Sequence, residues 1–503
     1  MAMNLKELLS LANLEYKVEN GDTNPLISSI SYNSRTVEKD SMFVCLVGEN
    51  FDAHNFVNDA INRGASVILA QRSMPDVSIP VVIVENTAKA MALLSTAFYG
   101  FPSSKLKLIG VTGTNGKTTV THLVEKILEA SGYNCGLIGT LGNRLKSNDA
   151  YKETKHTTPQ APDLQEYLAS AVDSNFDYVV MEVSSHALDL YRVLGCDFSV
   201  ALLTNVTQDH LDFHVTMENY AKAKLKLFEQ LKPSGGSKRT AIINYDDESY
   251  VKFNAAVPSG VDVLSYGVNE GADVRALDIT YSCEGTTFKC VTPVGTIDIT
   301  LKLKGLFSVY NALSAISISI AEGISLDIIN NALSSINNIP GRFEAVSDRP
   351  LVVVDYAHTP DGLSNILDAA RKLVPDNGKL ITVFGCGGDR DPTKRPKMAS
   401  IVEALSDMVF VTSDNPRTED PQQIITDILT GIKNLDSGTV KVEIDRALAI
   451  EMAINAASDY DVVVVAGKGH EDYQILADRT IHFDDREVVR DLLAKNNVAK
   501  AGK

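Results

Sequence analysis

The stretch VTGTNGKTTV, residues 111–120, places two glycines, a lysine and a threonine where an apolar, β-branched run gives way to a helical pattern. Lacking Cβ atoms, Gly113 and Gly116 let backbone N–H groups face phosphate oxygens, and the positive end of the following helix adds to the attraction. Lys117 would neutralise terminal phosphates and the Thr118 hydroxyl would ligate Mg2+. The usual phosphate-loop pattern has a glycine five positions before Gly116, where this chain carries Val111. A Gly-rich turn that binds nothing is the plain alternative. A dinucleotide loop would need G-x-G-x-x-G, which is missing here.

Three further clusters bear on the same chemistry. MEVSSH ends a hydrophobic strand on Glu182, where a second oxygen ligand for magnesium belongs, unless it is simply a strand-end surface acid. TNVTQDHLDFH follows another strand and sets His210 and His214 four apart on a candidate helix. That spacing suits a metal, although magnesium prefers oxygen ligands. In YAKAKLKLF, Lys222 and Lys226 share one helical face while Lys224 lies opposite, at neighbour spacing from Tyr220, Ala221, Leu227, Phe228 and Leu231. Burial lowers an ammonium's pKa and exposes a nucleophilic amine, able to act in catalysis or to add CO2 as a carbamate. A lysine snorkelling out of a packed stripe is the alternative.

Near the C-terminus GCGGDRD, TSDNPRTED and AGKGHEDY each follow the carboxyl end of an expected strand, where open α/β sheets bind ligands. GCGGDRD is no dinucleotide loop, because Arg390 holds the third glycine position. Pro416 fixes its own φ and restrains Asn415 to extended backbone, so the turn is stiff and aims Arg417. A guanidinium fork suits a carboxylate, although a turn with a surface arginine would read the same way. Ser184-Ser185-His186 lacks the G-x-S-x-G elbow of a serine nucleophile.

The elements that must position these residues alternate strand-like and helix-like runs almost throughout 503 residues, a length that suggests roughly three domains. SMFVCL, ASVILA and VVIVE are strands of a first unit, with AHNFVNDAINRG a helix between two of them. LIGV, YVVMEV and VALLTNV are strands of a second unit, and 117–131 and TMENYAKAKLKLFEQL are helices. Residues 262–303 lose the helical period and read as antiparallel β-structure before a helix at about 308–322. Apolar runs at 351–354, 381–384, 408–412 and 462–466 form a third, doubly wound unit. YGFPSSKLK (99–107) and NNIPGRFEAVSDRP (337–350) read as linkers. The expected class is α/β with boundaries at 1–103, 104–338 and 339–503: an N-terminal α/β domain, a central phosphate-loop domain with a mainly parallel sheet plus a small antiparallel part, and a C-terminal Rossmann-like domain.

Composition bounds the partners. The net charge is −17, so nucleic acid is not expected. Six cysteines without C-x-x-C favour free thiols in a reducing compartment. The start reads as an amphipathic helix, and no apolar stretch is long enough to span a membrane. A monomeric cytoplasmic protein acting on small molecules is the expectation.

Taken in order, TGTNGKTT, EVSSH, TNVTQDHLDFH, YAKAKLKLF, GLFSVYNALSA, GRFE and DYAHTP resemble the motifs of the Mur ligases, ATP-dependent amino-acid-adding enzymes of peptidoglycan synthesis, over nearly the whole chain. In that family the first glycine of the loop falls at Gly113, so Val111 is no anomaly. The resemblance implies that Gly113, Thr114, Asn115, Gly116, Lys117, Thr118 and Thr119, with Asn311, Arg342, Asp355 and His358, contact ATP. It implies that Thr118, Glu182, His210 and Lys224, as a carbamate, serve Mg2+.

Residues 31–56 are similar to the uridine-nucleotide domain of the member that adds the third peptide residue. Ser34, Arg35, Thr157, Thr158, Ser184 and Arg192 fall where that member holds UDP-N-acetylmuramoyl-dipeptide. DNPR is similar to the signature of members that add meso-diaminopimelate, which implies that Arg390, Asp414, Asn415, Pro416, Arg417, Gly467 and Glu471 bind this amino acid. L-Lysine as acceptor is the alternative, and a folylpolyglutamate-synthetase-like ligase or a phosphate-loop switch protein are remoter ones. The expected chemistry is an acyl phosphate formed from ATP and captured by the amine, with the C-terminal domain closing over both.

Overall fold

The structure is a computed structural model that describes residues 2–21, 24–48, 51–144, 151–152, 156–233, 238–282 and 284–501. Glu49 and Asn50 of the 31–56 stretch and Cys283 lie outside the described residues. Among the described residues the five cysteines are all buried and free, and no helix is long and apolar enough to cross a membrane.

The N-terminal sheet has five strands. Ser41–Val44, Ala65–Ala70 and Val81–Ile83 pair in parallel. Leu5–Ala12 and Thr87–Phe98 pack their apolar faces on one side, and Val57–Asn62 packs on the other. The expected helix at 53–64 is a 3-10 turn, Ala53–Phe56, running into that short helix.

The central sheet has ten strands. Lys107–Thr112 lies between Tyr178–Glu182 and Phe198–Leu203, parallel to both, with Val111 opposite Glu182 and Thr112 opposite Leu203. This strand order explains the site. The carboxyl ends of three adjacent strands open onto one crevice, so the glycine loop, Glu182 and the segment after Leu203 meet although they are far apart in sequence. Both faces are buried, as a parallel sheet requires. Helices Lys117–Ala130 and Leu306–Ala321 cover one face, and Ala161–Asp173 and Met217–Glu229 cover the other.

The reading of 262–303 as antiparallel needs correction. Asp262–Gly267 pairs in parallel with Thr240–Asn244, and Val274–Ser282 continues in parallel; only Val274–Leu301 forms an antiparallel meander. The meander extends the same sheet and is not a separate piece. One-sided exposure gave it an alternating pattern that masked the half-buried parallel strand before it.

The C-terminal sheet has six strands. Leu351–Asp355, Val462–Ala466, Leu380–Phe384 and Met408–Val411 lie parallel in that spatial order. The linker expected at 337–350 ends early, since Glu344–Asp348 is an antiparallel edge strand of this sheet. Val440–Val442, unforeseen because it is short, closes the other edge.

Arg446 and Asp485, both buried, clamp the carboxyl edge of this sheet. Nε and Nη2 donate to the two carboxylate oxygens at 2.8 and 2.7 Å, and the guanidinium also reaches the carbonyls of Ser413 and Ala466, where two binding loops leave their strands. Arg446→Met leaves Asp485 buried without a partner and is expected to cost about 3–5 kcal/mol. Urea unfolding followed by circular dichroism reads the loss, and Arg446→Met with Asp485→Leu should recover most of it.

Candidate active site

One cavity of about 560 Å³ lies between the central and C-terminal sheets, bordered by the phosphate loop at one end and by residues 386–390, 414–417 and 467–471 at the other. The loop needs its glycines. Gly113 has φ +143° and a Cβ there would collide with the Thr204 hydroxyl; Gly116 has φ +88° and a Cβ would strike Asn311 Oδ1. Gly116 then caps helix Lys117–Ala130, leaving the helix's first N–H groups toward the cavity.

Two lysines converge behind this loop. Lys117 Nζ donates to the carbonyls of Gly113 (2.9 Å) and Thr114 (2.8 Å). Lys224 Nζ donates to the same Gly113 carbonyl at 2.7 Å and lies 4.3 Å from the centre of the Tyr220 ring. Lys224 is 1 % exposed, whereas Lys222 and Lys226 pair at the surface with Glu218 and Asp189, as the helical periodicity required. Burial of the amine lowers the pKa of both lysines, and for Lys224 the nearby Lys117 ammonium lowers it further, to well below the ordinary lysine value.

Glu182 is buried at the end of its strand. It accepts from Thr140 N (2.8 Å), Thr140 Oγ1 (3.1 Å) and Thr118 Oγ1 (3.1 Å). Gly139 must lack a side chain, for a Cβ would sit 2.5 Å from Glu182 Oε1. Thr140, not singled out in the sequence, carried the same strand-end signal, following GLIG as Glu182 follows YVVM. Arg342 reaches across from the C-terminal side to donate to Thr118 Oγ1 at 2.8 Å and stacks over Tyr356, and its buried Nε has no partner among the described residues.

His210 and His214 do not share a helical face. The helix is only Leu211–His214, and His210 precedes it with left-handed backbone. His210 borders the cavity, but His214 turns away to Ser185 Oγ at 3.0 Å. Burial presses the pKa of His210 well below its ordinary value, so a neutral imidazole faces the cavity. Asn311, Asp355 and His358 also border it. Asp355 is held by the N–H groups of Phe343 (2.6 Å) and Ala357 (2.7 Å), and His358 Nδ1 lies 2.8 Å from the Tyr356 carbonyl.

At the opposite end Arg417, again with left-handed backbone, directs Nη1 to the Gly388 carbonyl at 2.7 Å, and Arg390 bonds the Asp389 carbonyl. Among the described residues neither makes an ion pair with a carboxylate. Burial and the neighbouring Arg390 guanidinium lower the pKa of Arg417, and the Asp414 and Glu471 carboxylates offset part of this. Asn415 bridges Glu471 (2.8 Å), Ile475 N–H (2.9 Å) and Lys468 (3.1 Å). Asp414 and Gly467 border the cavity; Pro416 does not, but its carbonyl blocks any Cβ at Gly388. Lys468, fully buried beside Glu471 at 3.1 Å, is a member that sequence reasoning missed.

The remaining expected residues divide. Thr157 and Ser184 border the cavity. Thr158 is buried beneath them, tying the Glu182 carbonyl (2.8 Å) to Ser184 N–H (3.1 Å), and Arg192 donates to the Thr158 carbonyl at 3.1 Å. Ser34 and Arg35 lie on a 3-10 turn of the N-terminal sheet and do not border this cavity.

Among the described residues no group of three or more His, Cys, Asp or Glu side chains converges to hold a metal. The donors present, Thr118 Oγ1 and Glu182 beside a phosphate cradle, fit a hard cation that takes most of its ligands from phosphate and water.

Comparison with known proteins agrees with this architecture. Models of the Mur ligase family match 26–99 (catalytic domain), 111–319 (middle domain) and 341–469 (glutamate ligase domain). UDP-N-acetylmuramoyl-L-alanyl-D-glutamate--2,6-diaminopimelate ligase of Bacillus velezensis is 45% identical over 97% of this chain and 98% of its own. The Syntrophomonas wolfei protein of the same name is 43% identical over 98% and 99%. A solved structure bearing that enzyme name superposes with a TM-score of 0.66 at 32% identity, covering 98% of this chain and 100% of the other. Folylpolyglutamate synthase of Mycobacterium tuberculosis shares the fold at 20% identity and TM-score 0.61, over 74% of this chain.

Gly116→Ala adds a strained φ and a clash with Asn311. It is expected to weaken ADP binding at least tenfold by calorimetry, with an unchanged circular dichroism spectrum.

Proposed function

The chain belongs to the Mur ligase family, and we propose that it joins meso-2,6-diaminopimelate to UDP-N-acetylmuramoyl-L-alanyl-D-glutamate, converting ATP to ADP and phosphate. The observation that carries this reading is one cavity with a phosphate cradle at one end and, at the other, an arginine pair that makes no ion pair with a carboxylate among the described residues. Residues 1–103 serve the uridine nucleotide, 104–338 ATP, and 339–503 the amino acid. The protein acts as a cytoplasmic monomer.

The glutamyl carboxylate and the ATP γ-phosphate are both anionic, so their encounter needs positive charge already in place. Lys117, Arg342 and the N–H groups at the start of helix Lys117–Ala130 supply it. Thr118, Glu182, His210 and a Lys224 carbamate would hold Mg2+, which when bound neutralises phosphate oxygens. The carboxylate attacks the γ-phosphorus, giving an acyl phosphate and ADP. The neutral amine of diaminopimelate attacks the acyl carbon, and phosphate leaves. Closure of the C-terminal domain keeps water from the acyl phosphate.

Arg417 and Arg390 take the distal carboxylate, while Glu471 and Asn415 take the ammonium end. L-Lysine lacks that carboxylate, so it would leave both guanidiniums short of an anion. Sites that lose a buried polar partner discriminate by roughly 10⁴-fold; with Arg417 half-buried and Arg390 exposed, a smaller preference is expected here.

Phosphate release with ATP, Mg2+ and the dipeptide nucleotide should therefore require diaminopimelate, and Arg417→Ala should abolish the preference. Equal turnover with L-lysine would overturn the assignment of the acceptor. Burial and the neighbouring Lys117 lower the pKa of Lys224, which favours the neutral amine, the form that adds CO2. Activity should fall in CO2-depleted buffer and return with bicarbonate, whereas Lys224→Arg should show no such response.

A further inference from the structure

Asp209 sits at the seam between the central and C-terminal sheets and is 4% exposed. Its Oδ1 accepts from Lys394 Nζ at 3.2 Å, and its Oδ2 lies 3.3 Å from His210 Nε2 and 3.7 Å from His358 Nε2. Lys394 and His358 belong to two separate C-terminal segments, the start of helix Lys394–Leu405 and the loop after Leu351–Asp355. Gln208 extends the seam. Its Nε2 donates to Asp391 Oδ2 and Thr393 Oγ1 at 3.0 Å each, and its Oε1 accepts from Lys397. Two consecutive residues of the central body are thus clasped by residues 391–397 of the C-terminal body.

A buried ion pair gains little net adhesion, because desolvation offsets the attraction. Its effect is geometric: Asp209 and Lys394 satisfy each other only when the bodies are docked, and both can return to water when they part. Docking also has a chemical consequence. Lys394 is itself buried, yet it borders the cavity beside His210 and His358. It is therefore a cation delivered to the reaction site by the C-terminal body.

We propose that Asp209 is a positioning residue: when the C-terminal body docks, it draws Lys394 to the edge of the reaction site and gathers His358 and His210 around one carboxylate. The site is complete only in the docked form, which ties catalysis to closure. What the completed site does rests on the ligase reading above; the docking itself does not.

The test uses the full chain with ADP and Mg2+ as probe. Asp209→Asn and Lys394→Met should each lower kcat about 10²-fold, the scale of losing a preorganised charge, while ADP affinity and the KM for ATP change less than about threefold. Hydrogen exchange in 391–397 should accelerate and small-angle scattering should show an expanded particle. Asp209→Glu should recover compaction and part of kcat. The exchanged pair Asp209→Lys with Lys394→Asp should recover compaction without the rate.

Either single variant that stays compact with full kcat overturns the proposal. So does one that loses ADP affinity in parallel with kcat, the pattern of a purely structural role. If the wild-type chain releases no phosphate with any acceptor, the ligase reading fails, and the exchange and scattering data still decide whether Asp209 is the latch.

Discussion

One carbonyl oxygen organises the central site. That of Gly113 receives two lysine amines, half-buried Lys117 at 2.9 Å and buried Lys224 at 2.7 Å. Two like charges on one acceptor, largely withdrawn from water, repel each other, and the repulsion is relieved when one gains an anion or loses its proton. Lys117 can turn to a phosphate, and Lys224 can lose its proton and become an anion by adding CO2. The chemistry assigned to each lysine is the relief of a strain that the packing of helix Met217–Glu229 against the loop imposes.

The rest of the architecture follows from where that loop must sit. Placing Lys107–Thr112 between two parallel partners brings Glu182 and the 205–210 segment to its flanks. The acceptor end repeats the arrangement. Asp355 lies opposite Ala466 at the carboxyl edge of the second parallel sheet, so Tyr356–His358 and Gly467–Glu471 emerge side by side toward the cavity. Neither sheet holds a complete site. One supplies backbone N–H groups and lysine amines, the other guanidiniums, and the cavity lies where they face each other.

Much of this was legible in the sequence because the signals are local. A strand, two glycines, Lys-Thr and a helix specify a phosphate loop within ten residues, and helical periodicity sets Lys224 on the apolar face, although it left open whether the ammonium snorkels out. Errors arose where the pattern was short or shared. His210 and His214 have helical spacing, but the chain enters the helix only after His210. Asp262–Gly267 borrowed its reading from the meander that follows it. Asp209 and Lys394 gave no signal at all, since they are 185 residues apart and meet only through the docking of two sheets. A pairing of that kind cannot be read from one sequence, where a lone acid beside a histidine resembles any turn.

The central claim is that this cationic loop lets one anion attack another, transferring phosphate to a carboxylate. The most direct measurement uses dipeptide nucleotide labelled with ¹⁸O in the glutamyl carboxylate, with ATP, Mg2+ and diaminopimelate, and mass analysis of the released phosphate. An acyl phosphate requires an oxygen of the carboxylate to leave with the phosphate, so the product should carry the label. Unlabelled phosphate formed together with ligated product would contradict the account, because the carboxylate would then have been activated by some other route.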